Sequence, residues 1–494
     1  MIKQAINIVW LKRDLRTQDH AAFAAAEQAA IPYIAIFIVE PSIVAYPDTS
    51  LRHLQFQYQS VLQLNKFFAP LQKSIWVCYA EALEVFAWFD QNYEVQHVFS
   101  YQESGIQITY TRDKKVAQFL AAQNIAWKQF QRDGIVRGIK DRTAWDKMWY
   151  TVMSQPVIKN TYAAQTFCAP NNPFELPVHL QTLWSEVNPL FQPAGESFAY
   201  QYLQSFLAKR GANYSYHISK PALSRLSCSR LSPYLAWGNI SIKQVYQITS
   251  VHLRTSSSKK SFLNFLSRTK WHCHFIQKFE QDCTYETHYL NKGYEDLELS
   301  NNSNYLEAWK QGKTGVPLVD ACMRCLHQTG WINFRMRALL VSFLTHHLDI
   351  DFRLGAHHLA QLFLDYEPGI HYPQLQMHAG TTGVNLLRVY NPVKNALQHD
   401  ADAVFTKKWV PELAHLPVPL VHHPWLMTLM DELLYNFELG KHYPAPIVNV
   451  AGGAKANVQK IWDLRHTETT QHEMRRIIKS HTRPKKAHAK RSKK

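Results

Sequence analysis

Two kinds of hydrophobic spacing divide the chain. Up to about residue 131, short runs of β-branched and aromatic residues alternate with longer segments whose apolar residues recur every three or four positions. The short runs are INIVWL, YIAIFIVE, SIWVCYA, HVFSYQ and AWKQFQ. This alternation predicts five strands connected by helices, and therefore a parallel, doubly wound, Rossmann-like α/β sheet.

The loop after the first predicted strand bears on the kind of ligand. Ligands of doubly wound sheets bind beyond the carboxyl ends of the strands. This loop reads Lys12-Arg13-Asp14-Leu15-Arg16, so it is basic and lacks the glycines that let a backbone approach a dinucleotide pyrophosphate. A nicotinamide-dependent dehydrogenase is therefore disfavoured.

Beyond residue 131 the pattern changes twice. Residues 132–200 hold six prolines and little periodicity, which predicts a connector wrapped over a surface. Later segments such as PLVDACMRCLHQ and FRMRALLVSFLTHHL have helical apolar spacing. We expect an α/β domain over residues 1–131, the connector, an all-helical domain over 201–470, and a basic, disordered tail over 471–494.

The composition bears on net charge and on the cellular compartment. The 494 residues carry a formal net charge of +16 and include seven cysteines, too few for a disulfide scaffold. From Arg475 onward there are ten Lys or Arg and no acid, which indicates either a solvated segment or an arm that binds phosphates non-specifically. Without a long apolar run or a signal-peptide pattern, we expect a soluble, cytoplasmic, monomeric protein that does not bind membranes.

A polar string in the second half predicts an anion site. Cys228-Ser229-Arg230-Leu231-Ser232 stands directly before a helical run. Hydroxyls and free amides at a helix start suit a phosphate. Ordinary N-capping explains one serine equally well, but it does not explain the whole string.

That string and several others resemble the photolyase/cryptochrome family. SRLSPYLAWGNIS, with Tyr216 upstream, is similar to the family's stretch that binds the FAD phosphates, and WLKRDLR is similar to its opening strand and loop. Further matches in order are AWKQGKTG, PLVDA, TGW, YNP, WVPEL, HPW and YPAPIV. The resemblance spans residues 6 to about 465 and identifies the chain as a member of a divergent bacterial branch.

The resemblance implies an antenna domain followed by a helical domain that holds a folded-over FAD, so that light drives the chemistry. It implies that Arg337 and Asp365 form the catalytic ion pair against the isoalloxazine ring; a purely structural salt bridge is the alternative. The implied FAD contacts are Tyr216, Cys228, Ser229, Arg230, Leu231, Ser232, Phe262, Phe265, Phe334, Arg337, Asp365 and Glu367.

The positions that face the DNA lesion in class I cyclobutane-dimer photolyases differ here. Phe265 and Arg268 replace a glutamate and a tryptophan, and Leu375 replaces a second tryptophan that stacks on the lesion. The paired histidines of (6-4) photolyases are absent, which argues against (6-4) repair. Arg268, Arg335 and Leu375 are the candidate DNA contacts, with a solvated helix face as the alternative for the two arginines.

The electron-relay tryptophans of the family are also missing by position. Leu299, Phe352 and the Tyr372-Pro373 pair occupy their places. Trp271, Tyr366 or Tyr372 would then carry photoreduction.

No metal site is predicted. Cys322 and Cys325 form a CxxC that, with Cys273 and Cys283, raises the question of an iron–sulfur cluster. A CxxC inside a core helix is more often a pair of buried thiols.

The leading hypothesis is a light-dependent lyase that splits cyclobutane pyrimidine dimers in DNA by electron transfer from excited reduced FAD. The alternatives are a cryptochrome-like blue-light photoreceptor without repair activity and a dark nucleic-acid-binding protein with a vestigial flavin pocket. Tyr110 and Thr111 stand where folate-binding relatives carry an Asn-Glu pair, so a deazaflavin antenna is expected over a folate.

Overall fold

The computed structural model describes residues 3–164 and 171–482. The N-terminal part forms one sheet, with strands Ala5–Leu11 (β1), Tyr33–Ile38 (β2), Ile75–Cys78 (β3), Glu94–Tyr101 (β4) and Ala126–Phe130 (β5). Neighbouring strands are all parallel, and their order across the sheet is β3-β2-β1-β4-β5. The predicted doubly wound sheet is confirmed.

Helices cover both faces of this sheet. They are Ala21–Gln28 (α1), Pro41–Val44 (α2), Leu51–Phe68 (α3), Ala82–Asn92 (α4) and Gln107–Ala122 (α5). Successive residues of β1 enter opposite cores: Val9 packs in the cluster that contains Phe23, and Trp10 meets the Phe86 ring at 5.1 Å. A strand covered on both faces has no polar face, which explains the continuous hydrophobic runs.

The rest of the described chain is helical, as expected for the second half. Its helices are Trp145–Ser154 (α6), Val178–Ser185 (α7), Glu196–Ala208 (α8), Tyr214–His217 (α9), Pro221–Ser227 (α10), Ser232–Ala236 (α11), Ile242–Thr255 (α12), Lys259–Gln281 (α13), Ser303–Gln311 (α14), Pro317–Thr329 (α15), Phe334–Ser342 (α16), Phe352–Leu362 (α17), Pro368–Ala379 (α18), Pro392–His399 (α19), Val404–Trp409 (α20), Val418–His422 (α21), Leu429–Leu434 (α22), Ala454–Arg465 (α23) and Glu468–His481 (α24). A π-helical turn, Phe343–His347, extends α16, and short 3-10 turns lie at Ala69–Leu71, Arg210–Asn213, Cys283–Glu286, Lys292–Tyr294, Pro411–Leu413 and Pro424–Leu426.

The segment expected to be a connector contains more regular structure than its prolines indicate. It holds α6, α7 and the start of α8. Trp145, Trp149 and Met153 are buried along one face of α6, since a spacing of four residues returns side chains to the same side of a helix. The density of prolines concealed this apolar stripe.

The C-terminal tail also differs from the expectation. Residues 471–481, expected to be disordered, form most of α24. Ile477 and His481 of that helix are buried, so packing against the helical domain supplies the stability that the polar sequence does not indicate. The remainder of the predicted tail, residues 483–494, lies outside the described residues.

A glycine fixes the contact between the sheet and the helical half. Gly238 has φ +74°, and a Cβ atom there would lie 2.2 Å from the carbonyl oxygen of Arg13 in the loop after β1. The next residue, Asn239, donates from Nδ2 to the carbonyl oxygen of Leu15 at 2.9 Å. Only glycine permits both the left-handed backbone and this close approach.

Two further findings concern membranes and metals. Within residues 3–164 and 171–482, no helix is long and apolar enough to cross a bilayer. The same residues contain no group of three or more His, Cys, Asp or Glu side chains placed to hold a metal ion. Cys322 and Cys325 are buried in the hydrophobic core on α15.

Candidate functional site

A cavity of about 640 Å³ lies inside the helical half. Side chains from α9, α11, α13, α16 and α18, and from the segments between them, form its wall. Its volume falls within the roughly 300–1,000 Å³ that is usual for small-molecule and cofactor sites. It is therefore the candidate functional site.

The predicted polar string lies on the wall of this cavity. All five of its residues, Cys228, Ser229, Arg230, Leu231 and Ser232, line it. Arg230 has a left-handed backbone with φ 59°, and Gln192 holds this turn by donating from Nε2 to the Arg230 carbonyl oxygen at 2.7 Å. The side chain of Gln192 also accepts from Arg230 Nε at 3.0 Å.

Two arginines beside this string lack an acidic partner. The Arg230 guanidinium lies 4.1 Å from the ring centroid of Trp331, and Arg225 donates to the Trp331 carbonyl oxygen at 3.0 Å. Burial and, after it, the charge of Arg225 lower the pKa of Arg230 to about 10. Among the described residues neither arginine forms an ion pair with a carboxylate. Because a buried cation needs a compensating charge, this part of the cavity fits an anion.

The predicted pair of Arg337 and Asp365 is brought together at the cavity wall. Arg337 Nη2 donates to Asp365 Oδ2 at 2.7 Å. Arg337 is oriented by two further contacts: its Nε donates to the carbonyl oxygen of Ile332 at 3.0 Å, and its guanidinium lies 4.1 Å from the ring centroid of Phe363. The other carboxylate oxygen, Oδ1 of Asp365, is buried without a hydrogen-bond partner in the described chain.

Glu367 lines the same cavity and is tied to the N-terminal half. Arg132, which follows β5, donates to Glu367 Oε2 at 2.8 Å, and Arg13 Nη1 lies 3.9 Å from the same oxygen. Burial alone would raise the pKa of Glu367, but the two guanidinium charges outweigh it and the pKa is lowered. Glu367 is therefore a carboxylate at neutral pH. Its Oε1 atom is buried without a hydrogen-bond partner among the residues described.

The mouth of the cavity is aromatic and basic. Phe334 and Trp271, which are 46% and 47% exposed, lie on its wall. The predicted DNA contacts Arg268 and Arg335 line it as well, together with Arg388. Such a combination of planar side chains and guanidinium groups suits a nucleobase and its phosphates.

Three residues predicted to contact the cofactor do not line the cavity. Tyr216 is 64% exposed, and Tyr214 lines the wall instead. Residues two apart on a helix point in nearly opposite directions, which explains the exchange. Phe262 and Phe265 pack in the core against Phe206, with ring centroids 5.7 and 4.7 Å from it. They support the wall from behind.

Leu375 lies neither at the mouth of the main cavity nor on its wall. It is buried and lines a small cavity of about 30 Å³ adjoining the main one, next to the Arg337–Asp365 pair. It therefore lies deeper than a residue at the mouth, and the structure does not bring it together with Arg268 and Arg335.

Several residues in or behind the cavity wall were not foreseen from the sequence. They are Arg132 behind Glu367, His272 on α13, His378 on α18, and Arg388 in the segment after α18. The Nε2 atoms of both histidines are buried without a hydrogen-bond partner in residues 3–164 and 171–482. Helical spacing could have indicated His272, which follows Arg268 by four residues on the same helix face.

The residues considered for electron relay are placed differently from one another. Trp271 lines the cavity and reaches solvent. Tyr366 is buried and donates to Asp48 Oδ2 at 2.5 Å, and Tyr372 is buried with its ring centroid 6.1 Å from that of Phe279. Of the three, Trp271 combines a position at the cavity wall with contact to solvent.

A second pocket lies where a doubly wound sheet binds its ligands, at the carboxyl ends of the strands. Its volume is about 100 Å³, below the usual range for a cofactor site. Its charged walls are paired: Lys12 contacts Asp113 at 2.7 Å, and Arg112 contacts Glu40 and Glu103 at 2.7 and 2.6 Å. The charges on this pocket wall are therefore already compensated within the protein.

Family models match both halves of the chain. The model described as DNA photolyase matches residues 7–154, and the model described as the FAD binding domain of DNA photolyase matches residues 265–463. The second match contains Arg337, Asp365 and Glu367 of the cavity wall. The chain belongs to the photolyase/cryptochrome family. Its helical half therefore carries the FAD-binding domain of this family.

Curated relatives align with this photolyase/cryptochrome protein along almost their whole length. The deoxyribodipyrimidine photo-lyase of Alkalihalophilus pseudofirmus is 27% identical over 479 residues, covering 90% of this chain and 95% of the relative. That of Vibrio cholerae is 27% identical over 477 residues, covering 88% and 97%. Cryptochrome DASH of Gloeobacter violaceus is 25% identical over 495 residues, covering 93% and 97%. Both branches of the family are thus represented among its relatives.

Solved structures agree in fold. A class III photolyase from Agrobacterium tumefaciens has a TM-score of 0.82 at 23% identity and covers 94% of this chain and 99% of its own. An archaeal photolyase from Sulfolobus tokodaii, solved with two FAD molecules, has a TM-score of 0.77 at 24% identity and covers 93% and 100%. At these identities the likeness concerns the fold alone.

Proposed function

We propose that this protein is a light-dependent DNA repair enzyme that splits cyclobutane pyrimidine dimers. The observation that carries the proposal is the continuity of one cavity, from the Arg337–Asp365 pair to a mouth lined by the exposed Phe334 and by Arg268 and Arg335. A flavin enzyme that acts on a base needs such a path, because the damaged bases must leave the helix to reach the cofactor. The curated relatives named deoxyribodipyrimidine photo-lyase support this choice.

The cavity fits FAD on charge and on hydrogen-bonding capacity. Arg230, which lines the cavity without an acidic partner in the described chain, would compensate the pyrophosphate. Oδ1 of Asp365, Oε1 of Glu367 and Nε2 of His272 are buried polar atoms without partners among the described residues, and the flavin and ribityl groups offer donors and acceptors for them. When bound, FAD would supply the electron that opens the dimer under light.

The side chains of the cavity bind and orient, and they exclude water. The Arg337–Asp365 pair keeps a fixed dipole at the buried end, and Phe363 and Leu375 shield it from solvent. In such a site charge–charge interactions are stronger than in water. Phe334 and Trp271 offer flat surfaces to the unpaired bases, while the arginines at the mouth meet the backbone phosphates.

The pocket described at the sheet edge has a volume of about 100 Å³ and paired charges on its walls. We therefore propose that FAD itself absorbs the light used for repair. An absorption spectrum of the purified protein would contain flavin bands alone. A second chromophore bound in stoichiometric amount would contradict this part of the proposal.

A direct assay tests the repair activity. Protein carrying fully reduced FAD is illuminated with an oligonucleotide that contains one cyclobutane dimer, and the restored pyrimidines are quantified by chromatography. The proposal predicts restored bases in the light and none in a dark control. An intact dimer after illumination of the reduced protein would contradict it.

A photoreceptor role is the second candidate. It is favoured by the replacement of the lesion-facing residues of class I enzymes, such as Phe265, which is buried in the core, and by the relative named cryptochrome DASH. This role predicts that light changes the protease sensitivity of the segment from α24 onward while dimers stay intact.

A further inference from the structure

One histidine at the cavity mouth stands between two aromatic rings. His378, in the last turn of α18, has its ring centroid 5.4 Å from that of Phe334 and 5.9 Å from that of Tyr390. Its residue is 7% exposed, whereas Phe334 at its side reaches solvent. His378 also borders the small cavity beside the Arg337–Asp365 pair. It therefore lies between the surface and the buried end of the site.

One nitrogen of this imidazole forms no hydrogen bond within the described chain. Nε2 of His378 is buried and has no hydrogen-bond partner in the part of the chain that the structure describes. Neighbouring buried histidines do bond: Nε2 of His346 lies 3.1 Å from the Ala379 carbonyl oxygen, and Nε2 of His371 lies 3.0 Å from the Ala356 carbonyl oxygen. Leaving a buried polar atom unpaired is costly, so a ligand at the mouth is the natural partner.

His378 is neutral at physiological pH. Burial lowers its pKa to about 3, and the nearby His346, Arg388 and Arg335 lower it in the same direction. A neutral imidazole nitrogen either donates or accepts one hydrogen bond. The polar edge of a pyrimidine presents carbonyl acceptors and, in thymine, an N–H donor, so it matches either tautomer.

Cations beside His378 are placed for phosphates. Arg335 and Arg388 line the mouth, and the Arg335 guanidinium lies 5.8 Å from the ring centroid of Tyr390. Among the described residues neither forms an ion pair with a carboxylate. The position that holds the lesion-binding glutamate in class I enzymes is Phe265, which is buried in the core. The mouth therefore needs another polar group to read the bases.

We propose that His378, which lies between the Phe334 and Tyr390 rings, supplies that group. Its imidazole would donate a hydrogen bond to the polar edge of the extrahelical pyrimidine pair or accept one from it. This inference rests on the proposed repair function and adds a specificity residue to it. His378 would account for the preference for damaged over undamaged DNA, whereas Arg335 and Arg388 would bind phosphates in either.

The test compares binding in the dark by the FAD-loaded protein. Fluorescence anisotropy gives the Kd for an oligonucleotide with one cyclobutane dimer and for its undamaged twin. His378→Phe keeps a flat ring and removes the nitrogen, and it is expected to reduce the preference for damaged DNA about tenfold, or about 1.4 kcal/mol, without changing Kd for undamaged DNA. The matched control Arg388→Ala is expected to weaken binding to both.

Further readouts separate the possible outcomes. His378→Gln, which retains a hydrogen-bonding group, is expected to keep part of the preference, and it serves as the second variant if His378→Phe does not fold. An unchanged preference in both variants would overturn the inference while leaving the repair function intact. Loss of FAD from His378→Phe, measured as flavin per protein, would also overturn it, because His378 would then contact the cofactor. A loaded wild-type protein without any preference would overturn the repair function itself.

Discussion

The ion pair between Arg132 and Glu367 links the two halves of the protein at the cavity, and its removal gives a quantitative test. Both side chains are almost completely buried, and the N–O distance is 2.8 Å. At an effective dielectric constant of about 20, this pair is worth about 6 kcal/mol of attraction before desolvation is counted. Arg13, at 3.9 Å from the same oxygen, retains about 4 kcal/mol on the same basis.

Arg132→Met should therefore lower the free energy of unfolding by about 3 kcal/mol, the lower end of the range for breaking a buried pair. Glu367→Gln should cost less, because Arg132 keeps Asp133 at 3.7 Å. The double variant Arg132→Met/Glu367→Gln should lose less free energy of unfolding than the two single variants lose together, because neither buried charge is then left without its partner. Urea unfolding followed by tryptophan fluorescence measures all three.

The pH dependence has a definite sign. In the wild type the pKa of Glu367 is lowered, so its contribution to stability is complete above about pH 4.5 and is lost as the pH falls through the folded-state pKa. Without Arg132 the largest cause that lowers this pKa is gone, so the pKa of Glu367 should be higher in the variant than in the wild type. Protonation of Glu367 then reduces the destabilisation of the variant as the pH falls. The deficit of Arg132→Met should shrink between pH 7 and about pH 4.5. A deficit below about 0.5 kcal/mol at pH 7, where surface substitutions usually fall, would refute the reasoning.

Three more variants test other parts of the account. Gly238→Ala should destabilise the protein by more than about 2 kcal/mol, because φ is +74° and the new Cβ would lie 2.2 Å from the Arg13 carbonyl oxygen; thermal unfolding measures it, and a wild-type midpoint would contradict it. Arg268→Ala should weaken binding to damaged DNA and reduce the slope of log K against log salt by about 1. Lys441→Ala, an exposed control, should change neither. If Arg268→Ala left affinity and slope unchanged as well, Arg268 would lie away from the DNA. Trp271→Phe should slow light-driven flavin reduction by a thiol, with Trp462→Phe as the control; an unchanged rate would exclude Trp271 as the donor.

Much of the fold was readable from the pattern of apolar residues. Strands covered on both faces give the continuous hydrophobic runs of β1, β2 and β3, and these runs predicted most of the sheet. The edge strand β5 has no fully buried residue. What the pattern concealed was order inside proline-rich and charged segments. In α6 and α24 a few buried side chains, such as Trp149 and Ile477, supply the packing energy, and such sparse stripes resemble polar connectors in sequence.

Site residues were predictable where the sequence keeps a family motif. They were not predictable where the position of a residue within one helical turn determines which side of the helix it lies on. Arg337 and Asp365 meet as the resemblance implied, and the Ile332 carbonyl oxygen and the Phe363 ring hold Arg337 in place. Tyr216 does not line the cavity, because it lies two residues after Tyr214 and therefore on the opposite face of α9. Arg132 was invisible to motif reasoning, since its partner lies 235 residues away in sequence. Contacts of that kind exist only in the folded chain.

The action spectrum of dimer repair tests the central claim most directly. Protein carrying reduced FAD is illuminated at a series of wavelengths with dimer-containing DNA, and the repair rate per absorbed photon is measured. The account predicts that the rate follows the absorbance of the reduced flavin alone, with no additional band. Absence of repair at every wavelength, with the flavin demonstrably reduced, would contradict it.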